Sequence, residues 1–310
     1  MSWIPAVESA LNAAVRAGTP LLYGTLGEIY AERSGVMNLG VEGMMIVGAV
    51  VAFGVTLHTQ NPWIGVLAAA LAAGALALIH AFLSITLRAN QVVSGLALTM
   101  MGLGISALLG KRYIGTPLPN SLSPTPIPIL CDVPIVGPMF FRHDPLVYAS
   151  LVLAPLLWFF LFYTKVGINI RSVGENPAAA DALGVNVYLI RYACVFFGGL
   201  LSGVAGAYLS VAYAPAWIEG MTAGKGWIVI GLTIFSMWSP LRALLGSYLF
   251  GGVTALQYRL QPLGVSPNLL AMLPYTFTII VLLVGTSERI RKRVGAPSAL
   301  GIPYVRGEKP

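Results

Sequence analysis

Apolar stretches long enough to cross a bilayer follow one another along the whole chain, and most charges are confined to the short intervals between them. A helix needs about 20 apolar residues to span the hydrocarbon core. Stretches at roughly 8–30, 36–57, 62–87, 91–110, 145–164, 191–212, 225–238, 241–257 and 268–286 meet or approach that length. The chain is therefore expected to be an all-α, polytopic integral membrane protein of about nine transmembrane helices, with eight to ten compatible with the Gly and Pro at their ends. The seventh stretch is short enough to be broken or re-entrant. With 57% hydrophobic and 9% charged residues, a soluble surface of ordinary charge density cannot be built. Nothing alternates in the manner of barrel strands, which leaves helices.

Residues 1–310 read as a single transmembrane domain. Arg289, Arg291, Lys292 and Arg293 directly follow the last stretch, so the positive-inside rule places the tail, 287–310, in the cytoplasm. Counting back puts the loop 165–190 on the same side, together with Arg33, Arg88, Lys165, Arg171, Arg191 and Arg242, and puts 111–144 outside. The net charge of +7 then follows from topology and not from a nucleic-acid surface. Pro117, Pro119, Pro124, Pro126, Pro128, Pro134 and Pro138 argue against regular structure in 111–144, which is either an extended cover over the outer mouth or a solvated linker. No cleavable signal peptide is expected. Glu8, Asn12 and Arg16 at helical spacing suggest an amphipathic start lying along the interface before the chain turns inward near Pro20.

Chemistry is sparse. Cys131 and Cys194 fall in different regions, which excludes a disulfide framework, and His58, His80 and His143 form no metal-ligand pattern. Gly220-Met-Thr-Ala-Gly-Lys-Gly226 resembles a phosphate-binding loop only superficially: Glu219 stands where the first Gly belongs, and Gly226 replaces the Ser or Thr that would hold Mg²⁺. If a nucleotide drives anything here, another subunit must bind it. Gly198, Gly199, Gly203 and Gly206 with Ser202, and Gly246, Gly251 and Gly252, read as small-residue ridges for close helix approach. Trp217, Trp227 and Trp238, near span ends, read as interfacial anchors.

Two polar groups are costly in such a chain unless they are used. The block Gly27–Gly43 concentrates Glu28, Glu32, Arg33, Asn38 and Glu42. Asn38 and Glu42, four apart, would share a helix face and present an amide and a carboxylate to a translocation path, and the flanking glycines suit a discontinuous helix. Alternatively the block is a cytoplasmic turn, with Asn38 capping the second span and Glu42 in its first turn. Asn90, Gln91 and Ser94 head the fourth stretch, where Gln91 and Ser94 either hydrogen-bond a neutral polar solute or belong to a helix cap.

The most definite local signal lies in Arg171–Asn186. Asn176 suits an N-cap, Pro177 the first helical position, and Gly184 a left-handed C′ position after Ala178–Leu183. A polar helix of about two turns near 177–183, set between two spans, is a handle for a soluble partner.

Three segments, in this order, carry a resemblance: ERSGVMNLGVEG within Glu28–Gly43, NQVVSGLA at 90–97 and RSVGENPAAADALGV at 171–185. They resemble the permease subunits of nucleoside-type ABC importers, within the larger ribose and branched-chain amino acid permease group. The similarity runs over nearly the whole chain. It implies that 171–186 holds a coupling helix fitting a groove of an ATPase subunit, touched by Gly174, Glu175, Asn176, Pro177, Ala179, Asp181 and Gly184. It implies that ATP and Mg²⁺ bind that separate subunit and that this chain is not itself catalytic and binds no cofactor. A second homologous permease and an extracytoplasmic binding protein or lipoprotein would complete the importer in a bacterial cytoplasmic (inner) membrane. One path for nucleosides or related sugars would run between the two permeases, with Asn38, Glu42, Gln91 and Ser94 as candidates to line it. Two other classes stay open. One is an ion-coupled secondary transporter using Glu42; the other is an integral-membrane enzyme, with Glu28, Glu32 and His80 as the nearest acid–base groups.

Overall fold

The structure, a computed structural model, describes residues 3–264, 266–285 and 295–307. The basic cluster from Arg289 to Arg293, on which the positive-inside argument rests, lies outside the described residues. In chain order the helices are α1 (Trp3–Arg33), α2 (Val41–Thr59), α3 (Pro62–Ala81), α4 (Gln91–Gly110), α5 (Val136–Phe140), α6 (Pro145–Tyr163) and α7 (Lys165–Glu175). They continue with α8 (Pro177–Ala182), α9 (Val187–Tyr208), α10 (Lys225–Phe235), α11 (Pro240–Leu260), α12 (Pro267–Ala271) and α13 (Leu273–Gly285). No strand occurs among the described residues, and α3 and α9 each run on into a π-helical turn, Phe82–Thr86 and Leu209–Tyr213. Among the described residues five helices, α2, α3, α4, α6 and α9, are long and apolar enough to cross a membrane.

Local chemistry sets several of these starts. Asn61, Asn90 and Asp144 each accept backbone N–H groups from the first turn of the following helix, and Pro62 and Pro145 occupy the first helical position of α3 and α6. Helices α1, α2, α3 and α9 pack together at the centre, with α11 laid along α1 and α4 along α2. A side chain at Gly203 or Gly206 would run into the carbonyl oxygens of Ala69 on α3 and Met45 on α2, so α9 meets both neighbours backbone to backbone.

The structure departs from the sequence expectations in four places. Helix α1 runs unbroken through Pro20 and does not turn there. Its polar stripe is covered by protein: Ile135 N donates to Glu8 (2.9 Å), and Asn12 Nδ2 donates to Pro138 O (2.7 Å). With α9 and α11 packed along it, the helix tolerates the one backbone hydrogen bond that Pro20 removes. Second, 111–144 contains α5 and single turns at Lys111–Tyr113 and Leu130–Asp132. Pro138 is the third residue of α5, where a helix has no use for its N–H. The segment is a packed cover and not a solvated linker, for Leu118 and Leu122 are buried and Leu122 N donates to Val211 O (2.9 Å).

Third, Trp217 and Trp238 are buried inside the bundle and do not anchor at an interface; Trp217 lies against Gly110, and Trp238 Nε1 donates to Glu32. A carboxylate inside an apolar bundle needs a donor, and the indole supplies it. Fourth, the second span begins at Val41 and not at 36, because Ser34–Gly40 leaves the helix and threads the bundle as irregular chain.

Candidate functional site

Non-helical backbone among apolar helices is tolerated only where its polar groups find partners within the protein, and Ser34–Gly40 finds them almost residue by residue. Gly35 turns the chain at φ +91°, and its carbonyl accepts from Gly301 N (3.2 Å). Ser34 O accepts from Arg191 Nε (3.2 Å). Met37 N donates to Gln91 Oε1 (2.8 Å), and Met37 O faces His80 Nε2 (3.0 Å), whose Nδ1 faces Ser94 Oγ (3.0 Å). Asn38 N donates to Glu28 Oε1 (3.0 Å), Gly40 N to Asn38 Oδ1 (3.0 Å), and Thr99 Oγ1 to Leu39 O (3.0 Å). Asn38, Gln91 and Ser94 are thus brought into one buried network around this segment. His80 completes it. Local spacing carries no signal for that histidine, since its two partners, Met37 and Ser94, come from separate parts of the chain.

Glu42 stands apart from that network, at the start of α2 and facing the start of α10. Its carboxylate accepts Thr222 Oγ1 (2.6 Å), Gly224 N (2.9 Å) and Gly226 N (2.6 Å). Lys225 Nζ donates nearby to Thr222 O (3.2 Å). The loop that looks like a phosphate cradle therefore cradles a carboxylate of its own chain. A side chain at Gly226 would strike the backbone N of Glu42, so the two helix starts touch. With 11 residues, α10 is about 16 Å long and cannot span a core of about 30 Å; it begins within the bundle. A negative charge between two helix N-termini offsets the positive ends of both dipoles. Sequence reasoning missed Thr222, Gly224 and Gly226 as partners, because the 180 and more residues between them and Glu42 hide the pairing.

Beyond the C-terminal end of α1, where Gly174 of α7 meets the Arg33 carbonyl, lies α8. Ala179 N donates to Asn176 Oδ1 (2.9 Å), Gly184 takes φ +84°, and Val185 N closes back on Ala180 O (3.0 Å). Ala180 is buried with Val173, Val187 and Tyr304, whereas Leu183, on the opposite side, is 85% exposed. Asn176, Ala179 and Gly184 are exposed, and Pro177 is half-buried. Gly174 faces inward, against the Arg33 carbonyl and Pro297. Glu175 Oε2 accepts Ser298 Oγ (2.9 Å), and Asp181 Oδ2 pairs with Arg306 Nε (2.9 Å). Leu183 is the residue of this helix that sequence reasoning passed over; its signal is an apolar side chain immediately before the C′ glycine.

The acid–base candidates are all engaged in holding the fold: Glu28 by Asn38 N, Glu32 by Trp238, and His80 between Met37 and Ser94. Among the described residues no group of three or more His, Cys, Asp or Glu side chains is placed to hold a metal ion.

The family described as branched-chain amino acid transport system / permease component matches residues 10–283. Among curated relatives, a candidate glucose ABC transporter permease protein of Haloferax volcanii is 41% identical, over 96% of this chain and 97% of its own length. A guanosine ABC transporter permease protein of Bacillus subtilis is 39% identical, over 94% of each chain. A nucleoside ABC transporter permease protein of Lactococcus lactis subsp. cremoris is 35% identical, again over 94% of each. The matched residues, 10–283, include the broken segment, the carboxylate cradle and the capped helix. The chain belongs to the permease-component family of branched-chain amino acid type transport systems.

Proposed function

We propose that this protein is one of two membrane permeases of an ABC importer for nucleosides or related sugars. A separate ATPase subunit binds ATP and Mg²⁺, and an extracytoplasmic binding protein or lipoprotein delivers the solute. The observation that carries this reading is α8, a helix capped at both ends that presents Leu183 to solvent at the end of the bundle opposite 111–144. A six-residue helix about 9 Å long moves as a body and transmits displacement better than a loop does.

On this reading the α8 end and the C-terminus are cytoplasmic, and 111–144 covers the outer mouth. Asn176, Ala179 and Gly184, with Leu183, meet the ATPase; Gly174, Glu175, Pro177 and Asp181 shape and brace the helix behind them. Asn38, Glu42, Gln91 and Ser94 border the solute path by fixing the break between half-helices, where membrane transporters commonly place their sites. The relatives named for guanosine, nucleosides and glucose share a neutral, hydroxyl-rich cargo. Glu42, whose carboxylate is taken up by donors of its own chain, is not held open for a cationic solute, which suits such a cargo.

The test is to co-purify the chain with its ATPase, second permease and binding protein, reconstitute them in lipid, and measure ATP hydrolysis. Stimulation by binding protein loaded with a nucleoside or with glucose is the expected result and identifies the cargo. Hydrolysis that no loaded binding protein changes, with uptake that follows an ion gradient, would overturn the proposal in favour of a secondary transporter.

A further inference from the structure

Residues 295–307 do not trail away from the bundle; they are laced across its end and hold both α7–α8 and the broken segment, which also meet where Gly174 lies against the Arg33 carbonyl. On one side they hold α7 and α8. Ala299 N donates to Gly174 O (2.9 Å), Ser298 Oγ to Glu175 Oε2 (2.9 Å) and Arg306 Nε to Asp181 Oδ2 (2.9 Å). Tyr304 is buried among Val173, Ala180 and Val187, its ring 5.8 Å from that of Tyr188. On the other side they hold the broken segment, through Gly301 N to Gly35 O (3.2 Å).

One buried side chain joins the two sides. Arg191, 1% exposed at the start of α9, donates from Nε to Ser34 O (3.2 Å) and from Nη1 to Ile302 O (3.2 Å). A planar guanidinium serves two carbonyls in fixed geometry, which a lysine ammonium on a flexible stem does not reproduce.

We propose that this C-terminal strap, locked by Arg191, is a positioning element that makes the coupling helix and the Ser34–Gly40 segment move as one piece. The inference rests on the coupling role given to α8 above. The solvent-exposed pair Arg306–Asp181 contributes little to it, because such pairs are screened. The buried tyrosine, the backbone hydrogen bonds and Arg191 carry the linkage. Displacement of α8 by the ATPase then reaches Gly35, and through Met37 and Asn38 the network that shapes the break.

The test uses the whole importer in lipid, with Arg191→Lys, a truncation removing 298–310, and Arg306→Ala as the surface control. Three quantities are measured: ATPase retained with the permeases, basal hydrolysis, and solute moved per ATP. In Arg191→Lys and in the truncation the ATPase stays bound and basal hydrolysis is kept, while solute moved per ATP falls about tenfold, the scale of an ordinary coupling free energy. Arg306→Ala stays within about twofold of wild type. Wild-type transport per ATP in Arg191→Lys overturns the proposal. So does loss of the ATPase from the complex, which would make the strap a docking surface. If the truncated chain fails to insert, Arg191→Lys decides alone. A wild-type complex whose hydrolysis never responds to loaded binding protein would instead remove the importer reading, visible before any variant is made.

Discussion

Glu42 shows how one residue can hold two helix starts in register inside an apolar bundle. Its carboxylate takes three donors from 222–226, two of them backbone N–H groups that α10 would otherwise leave unpaired. Glu42→Gln keeps the shape but turns an amide donor toward a backbone donor. Losing a charged hydrogen bond in this way costs about 1.5–3 kcal/mol, so the purified variant should melt at a clearly lower temperature in detergent. An unchanged melting temperature would mean the carboxylate is not the lock. Little of this was legible beforehand. The glutamate stood out as an expensive charge and the glycine-rich loop as a failed phosphate site, but nothing in either stretch names the other. Asn38, Gln91 and Ser94 were legible as a polar set worth watching, because polar side chains in apolar runs need partners; His80, buried at their centre, was not.

Helices α8 and α9 differ in what local sequence says about them. The caps of α8 are written in adjacent residues, and the structure places Asn176 and Gly184 at its two ends. Gly184→Pro puts a ring that requires φ near −65° where the chain takes +84°. The variant should insert in the membrane in normal amount yet lose stimulated ATP hydrolysis; stimulation at the wild-type level would detach α8 from coupling. Asn176→Ala removes the cap at a cost of about 1 kcal/mol and should give a milder loss in the same assay. In α9 and α11 the glycines are equally visible in sequence, but only the fold tells crowded from open ones. A methyl group at Gly206 would collide with the Met45 carbonyl, whereas at Gly252 the nearest atom stands 3.8 Å away. Gly206→Ala should therefore lose about 1–3 kcal/mol through overpacking, and Gly252→Ala should hold or gain about 0.5 kcal/mol, compared by thermal unfolding. The glycines around Asn38 pointed to a discontinuous helix, but where the break at Ser34–Gly40 begins and ends did not show, because its hydrogen-bond partners are distant side chains and apolar Val36 and Met37 read as a helix beginning.

At the scale of the whole molecule, helices of 19 and 20 residues separate the α8 end from the 111–144 cover, a distance of about 30 Å. If the two ends face opposite compartments, single cysteines at Leu183 (85% exposed) and at Ile129 (84% exposed) react with impermeant reagents from opposite sides of a sealed vesicle. Native Cys131, half-buried close to the second site, is first changed to serine. Labelling of both from the same side would contradict the topology. Multi-pass architecture was legible because hydrophobicity is counted along the chain, whereas the packing of the tail is a long-range event that no window of residues records. That packing has a consequence in time. The strap residue that meets Glu175 leaves the ribosome 123 positions after it, so throughout synthesis of the later helices the surface offered to the ATPase lacks its brace. On the linkage drawn above, a nascent permease holds the motor without being driven by it, and the last residues synthesised are the ones that join motor to path.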